Sequence, residues 1–132
     1  MAKLTGLAPV LLVPEVHEAL DWYRDKLGFD VETWEPAPAT YGYARRDGCA
    51  IHVSHGEAPR PNSEVVQPDL FDVYLWTDDV EALHREFTAS GANVLHEPIE
   101  RPWGMREIRV EDPFGYILAF GEPLAPRPTL RA

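Results

Sequence analysis

Two stretches of the chain place apolar residues at helical spacing. In the first, Val16, Ala19, Leu20, Tyr23 and Leu27 recur three or four residues apart, and Gly28 follows as a stop. In the second, Val80, Leu83 and Phe87 repeat the pattern and Gly91 ends it. Asp78 followed by Glu81 predicts a capping box at the start of that helix. Segments rich in β-branched and aromatic residues predict strands over 7–13, 31–34, 41–45 and 49–54, and again over 70–77, 94–96, 106–111 and 116–121.

The order strand–helix–strand–strand–strand is thus written twice. Val16 with Val80, Gly28 with Gly91, and Gly48 with Gly115 stand in register at offsets of 63–67 residues. An offset of that length marks a duplicated supersecondary unit rather than a solenoid repeat. The predicted class is α+β, with module one over 1–56, a proline-bearing linker over 57–68 and module two over 69–122. The proline-rich stretch 123–132 reads as an extended tail. Each module offers a short curved sheet with one helix on its convex back. Neither buries enough alone, so the two are expected to pair as an incomplete barrel around a groove.

At 132 residues, 45% hydrophobic and 26% charged, the chain has the length and composition of one globular domain. No run approaches the roughly 20 apolar residues of a membrane span. Residues 1–5 carry no secretory-type apolar stretch, and cytoplasmic residence is the expectation. A lone cysteine, Cys49, gives no internal disulfide; strand parity turns it away from His52 toward a small buried role. With 12 basic against 22 acidic residues the net charge is −10, which argues against nucleic-acid and anionic-membrane partners. It would concentrate a cationic ligand, or simply keep the protein soluble. The nine glycines sit at scattered turns, with no phosphate-binding loop among them.

Three stretches carry a recognisable pattern. Val13-Pro14-Glu15-Val16 through Ala19-Leu20-Asp21-Trp22-Tyr23 and Leu27-Gly28-Phe29 resembles the first-module signature of the vicinal-oxygen-chelate superfamily. Pro102-Trp103-Gly104 with Arg106-Glu107, and Asp112-Pro113-Phe114-Gly115, resemble its second-module signature. Within that glyoxalase/bleomycin-resistance/dioxygenase superfamily the chain looks most like the bleomycin-resistance proteins. Met1-Ala2-Lys3-Leu4-Thr5, Pro9-Val10-Leu11 and Arg46-Asp47 carry that likeness.

The resemblance implies four concave positions at which metal-dependent members place His or Glu, here Ala8, His52, Asp72 and Ala119. A metal site generally needs three or more N or O donors, so neither a metal nor another cofactor is expected unless Glu107 joins His52 and Asp72. His52 near Asp72 could form a general-base pair. No catalytic residue is assigned. Strand parity places Asp72, Tyr74 and Trp76 toward the groove and Phe71, Val73 and Leu75 toward the helix. Tyr74 and Trp76 could equally be core or dimer contacts.

In bleomycin-resistance proteins two aromatic rings sandwich the flat bithiazole of the drug, and the resemblance maps them onto Tyr41 and Trp103. Trp103 could instead only anchor its loop through the indole N–H. Glu107, with Glu35, Asp69 and Asp72, would meet a cationic tail, unless Arg109 pairs with Glu107. The resemblance further implies a homodimer whose N-terminal strand is exchanged, with Pro9 on that strand. The function expected is metal-independent sequestration of a planar cationic antibiotic of the bleomycin type, conferring resistance. The alternatives are a metal-dependent lyase, isomerase or dioxygenase of the same superfamily, or a binding module for another natural product.

Overall fold

In the computed structural model, residues 1–125 are described, and 126–132 of the proline-rich stretch lie outside them. The described residues divide into two compact units, Met1–Arg60 with Pro113–Gly115, and Pro61–Asp112 with the residues from Tyr116 on. Each is an open sheet carrying a helix, and the class is α+β. Among the described residues no helix is long and apolar enough to cross a membrane.

The first unit holds β1 (Val10–Val13), α1 (Val16–Leu27), β2 (Asp30–Glu32), β3 (Tyr41–Arg46) and β4 (Cys49–His55). Its strands lie in the order β1-β4-β3-β2, with β1 and β4 parallel and the other neighbours antiparallel. All five apolar positions of the α1 stripe are buried, as their spacing requires. Gly28 adopts a left-handed conformation at the helix end, and the Phe29 N–H reaches back to the Tyr23 carbonyl. Ile51 and Val53 of β4 and Ala44 of β3 are buried with that stripe. At Gly42 an added Cβ would come 2.6 Å from the Leu20 Cδ1, so the missing side chain is what lets helix and sheet close.

The second unit holds α2 (Asn62–Val65), β5 (Val73–Trp76), α3 (Val80–Ser90), β6 (Asn93–Val94), β7 (Ile99–Arg101), β8 (Met105–Glu111) and β9 (Ile117–Pro123). The strand order is β5-β9-β8-β6, with β7 also paired to β8. The parallel pairing of first and last strands repeats the first unit: Val10 stands beside His52 there, and Tyr74 beside Ala119 here. Val80 and Phe87 of α3 are fully buried, as are Ile108, Val110 and Leu118 of the sheet, while Phe120 of β9 stacks at 5.1 Å on Phe87.

Several expectations are corrected. Strand β1 starts at Val10 rather than 7, after Pro9, which has no N–H for the ladder; its carbonyl still accepts from the His52 N–H. Strand β5 starts at Val73 rather than 70, because Asp69 takes a left-handed conformation and Leu70 bonds back to Gln67. The helix cap is Asp79, one residue beyond Asp78, and its carboxylate accepts from the Ala82 N–H. Neither α2 nor β7 was foreseen; four and three residues are too short to show a period. Cys49 is exposed: it opens β4 just past the Asp47-Gly48 turn, at the tip of the β3–β4 hairpin.

Candidate functional site

The aromatic residues on the helix-free face of each sheet form one cluster per unit. In the first, Tyr41 and Tyr43 alternate with the buried Gly42 and Ala44 along β3, so both rings share the face of His52. The Tyr41 hydroxyl lies 2.6 Å from the His52 Nδ1. Tyr43 packs its ring on His52 at 5.6 Å, donates its hydroxyl to Glu32 at 2.6 Å and carries the Arg45 guanidinium at 4.5 Å. The exposed Trp34 meets Tyr43 edge-on at 5.8 Å. Glu35 is tied to the hydroxyl and backbone N–H of Thr40.

The second unit builds its cluster around Glu107. Opposite Glu107 across the ladder lies Gly121, where an added Cβ would meet the Tyr74 hydroxyl at 2.0 Å. The space a side chain would fill there is taken by the Tyr74 ring, which reaches over β9 and donates to the Glu107 Oε2 at 2.7 Å. The β7–β8 hairpin supplies the next member. Gly104 adopts a left-handed conformation and donates its N–H to the Arg101 carbonyl at 3.0 Å, so Arg101-Pro102-Trp103-Gly104 is a tight turn with proline second and glycine last. That turn lifts Trp103 onto the hairpin tip, and its indole N–H returns to the same Oε2 at 2.7 Å. The residue stays 57% exposed while its polar atom is held.

Glu107 itself is fully buried, on a strand whose other buried residues, Met105, Ile108 and Val110, are all apolar. Its other oxygen faces the guanidiniums of Arg101 at 3.4 Å and Arg109 at 3.6 Å. Two hydrogen bonds to Oε2 and two guanidinium charges near Oε1, which itself accepts no hydrogen bond, offset the cost of taking this carboxylate out of water. Burial, and then the bond and charge of Glu107, push the Tyr74 hydroxyl well above the ordinary tyrosine range, so it remains a donor. Arg109 lies over the Phe71 ring at 5.3 Å and donates to the Asp69 carbonyl. Phe71 packs on Tyr74 at 5.3 Å, and Tyr74 on Trp76 at 5.0 Å. Trp76 is 52% exposed.

Tyr41 with His52, and Tyr74, Trp76, Trp103, Glu107 and Arg109, are thus gathered within their units. Asp72 is a correction. One of its oxygens accepts the Asn62 N–H at 2.8 Å and the other the Ile117 N–H at 2.9 Å, so it ties α2 to the start of β9. It lies before β5, where strand alternation does not yet apply; Phe71, expected on the helix side, turns toward Tyr74 for the same reason. For Glu107 the structure has the stated alternative, the pairing with Arg109, and adds Arg101 to it. Tyr43, Trp34 and Arg101 were missed. Tyr43 was within reach of the alternation that placed Tyr41, whereas Arg101 depends on the unforeseen β7.

The metal site that the resemblance would imply does not fit these residues. Ala8 and Ala119 offer no donor, and the Asp72 oxygens are held by backbone N–H groups. Among the described residues no group of three or more His, Cys, Asp or Glu side chains could hold a metal ion.

None of the curated proteins compared matches the chain. Solved structures do. TioX from Micromonospora sp. ML1 is 24% identical, with a TM-score of 0.71 over 91% of this chain and 99% of that one. The bleomycin-binding protein from bleomycin-producing Streptomyces verticillus, solved with copper(II)-bleomycin, is 25% identical, with a TM-score of 0.71 over 91% and 97%. A glyoxalase-related enzyme from Clostridium phytofermentans is 19% identical, with a TM-score of 0.75 over 92% and 97%. The family model for the glyoxalase/bleomycin resistance protein/dioxygenase superfamily matches residues 6–120. With nearly the whole chain matched and the same unit built twice, this protein belongs to that superfamily.

Proposed function

We propose that the chain binds a planar, cationic antibiotic of the bleomycin type and holds it without altering it, so conferring resistance. The observation that carries the reading is Trp103: more than half of the residue is open to solvent, while its indole N–H is fixed to a buried carboxylate. An aromatic ring so held offers stacking area with little side-chain freedom left to lose on binding. A stacked flat heterocycle is the ligand such a ring suits, and cation–π attraction adds about 0.5–2 kcal/mol for a cationic group placed over it. The net charge of −10 favours a cationic ligand at long range. The likeness to a protein solved with copper(II)-bleomycin supports the same ligand class. Tyr41, tied to His52, is the second stacking ring in this reading, and Tyr74, Trp76, Arg109 and Glu107 support the Trp103 side. A homodimer in the cytoplasm belongs to the same reading.

Calorimetric titration with bleomycin and phleomycin tests it. Saturable heat with quenching of tryptophan fluorescence is expected, and Trp103→Ala should weaken binding by about 1–3 kcal/mol. The absence of both heat and quenching at high micromolar drug would refute the ligand assignment.

A further inference from the structure

We propose that Glu107 is a positioning residue, which sets the plane in which Trp103 is presented. The indole of Trp103 sits at the tip of a two-stranded turn, where an exposed side chain would ordinarily sample several rotamers. The bond from Nε1 to the Glu107 Oε2 at 2.7 Å selects among them, and the Arg101 guanidinium, itself paired with Glu107, lies over the ring at 5.8 Å. The same oxygen takes the Tyr74 hydroxyl at 2.7 Å, so Tyr74 and Trp103 are registered against each other through a single buried atom. Tyr74 is in turn wedged over Gly121, and its ring stands 5.0 Å from that of Trp76.

The arginines complete the device. Arg101 and Arg109 face the other oxygen at 3.4 and 3.6 Å, with side-chain exposures of 24% and 12%. Two guanidinium charges near Oε1, which accepts no hydrogen bond, and two neutral donors bonded to Oε2 hold the carboxylate with Oε2 toward Trp103 and Tyr74. A glutamine has the same shape but a single acceptor oxygen, and its amide would point N–H donors at guanidiniums or at the indole. The role therefore depends on the carboxylate and not on filling space. Glu107 touches no ligand in this scheme; it acts through Trp103. The bearing on drug affinity rests on the function proposed above, whereas the fixing of the indole does not.

The indole N–H signals in a nitrogen-15 correlation spectrum of the full chain test the proposal without ligand. Of the four tryptophan signals, the one lost in Trp103→Phe belongs to Trp103. In the unmutated protein it should lie downfield and exchange slowly with water, as a charge-assisted hydrogen bond dictates. Glu107→Gln should move it upfield and speed its exchange roughly tenfold or more, with the Trp22 and Trp34 signals in place as the check on folding. A Trp103 signal that exchanges like a free surface indole in the unmutated protein overturns the proposal, even if Glu107→Gln does not fold. So does one that Glu107→Gln leaves unchanged. With bleomycin, Glu107→Gln should weaken binding roughly three- to tenfold, and should add nothing in the Trp103→Phe background. A protected indole in a protein that binds no bleomycin would refute the ligand and leave the positioning role standing.

Discussion

Each unit holds a tyrosine hydroxyl against a glutamate at nearly the same distance, 2.6 Å for Tyr43 with Glu32 and 2.7 Å for Tyr74 with Glu107. Both hydroxyls are pushed above the ordinary tyrosine range, but the leading cause differs. For Tyr43 it is the bond to Glu32; for Tyr74 it is burial, with the bond second. Glu32 lies in water, while Glu107 is fully buried and has drawn an indole and two arginines around it. Equal geometry therefore does not mean equal energy. Water competes for the first bond and screens it, while in the second every donor answers a group that has none left from solvent.

The sharpest way to break that contrast is to remove the two carboxylates in turn. Glu107→Ala should lower unfolding stability by about 3–5 kcal/mol in urea titration, because it leaves two guanidiniums without their counter-charge. Glu32→Ala should leave the midpoint unchanged within error, since its partner is an exposed hydroxyl. Equal losses would show that burial is not what separates the two pairs.

Asp72→Ala comes next, with an expected loss of about 1–3 kcal/mol as two backbone N–H groups lose their acceptor. The same variant should bind drug as the unmutated protein does, which separates a structural carboxylate from a ligand-facing one.

The smallest effect is read at alkaline pH. A hydroxyl whose folded value is raised contributes stability that is complete below the ordinary tyrosine value of about 10 and is lost as pH climbs above it. Stability should fall over that window, and Tyr74→Phe should flatten the fall more than Tyr43→Phe does. The reverse order would place the stronger coupling in the first unit.

Much of the architecture is legible in the residues. The stripe from Val16 to Leu27 can bury itself only as a helix, and Gly28 and Gly91 occupy left-handed positions that glycine adopts without strain. Alternation along 41–45 puts Tyr41 on one face and Ala44 on the other, and along 73–76 it separates Val73 and Leu75 from Tyr74 and Trp76. The turn tendency of Pro102 and Gly104 is local, and so is the cap from Asp79, although its position slipped by one residue. These are choices made within a few bonds of backbone, where period and φ preference are sufficient.

The site follows different rules. Glu107 reads from the chain as one acid among 22, available to a cation. Strand alternation already sets Arg109 beside it, but only the fold brings Tyr74, Trp103 and Arg101 around it, from strands and a turn up to 33 residues away. Asp72 shows the same in reverse, an apparent ligand that the fold assigns to the backbone of Ile117, 45 residues on. Periodicity along the chain decides which face a side chain takes. Whether a charge there meets water, a partner or a ligand depends on which distant strand is laid beside it, and that is settled only when the sheet closes and the solvent leaves.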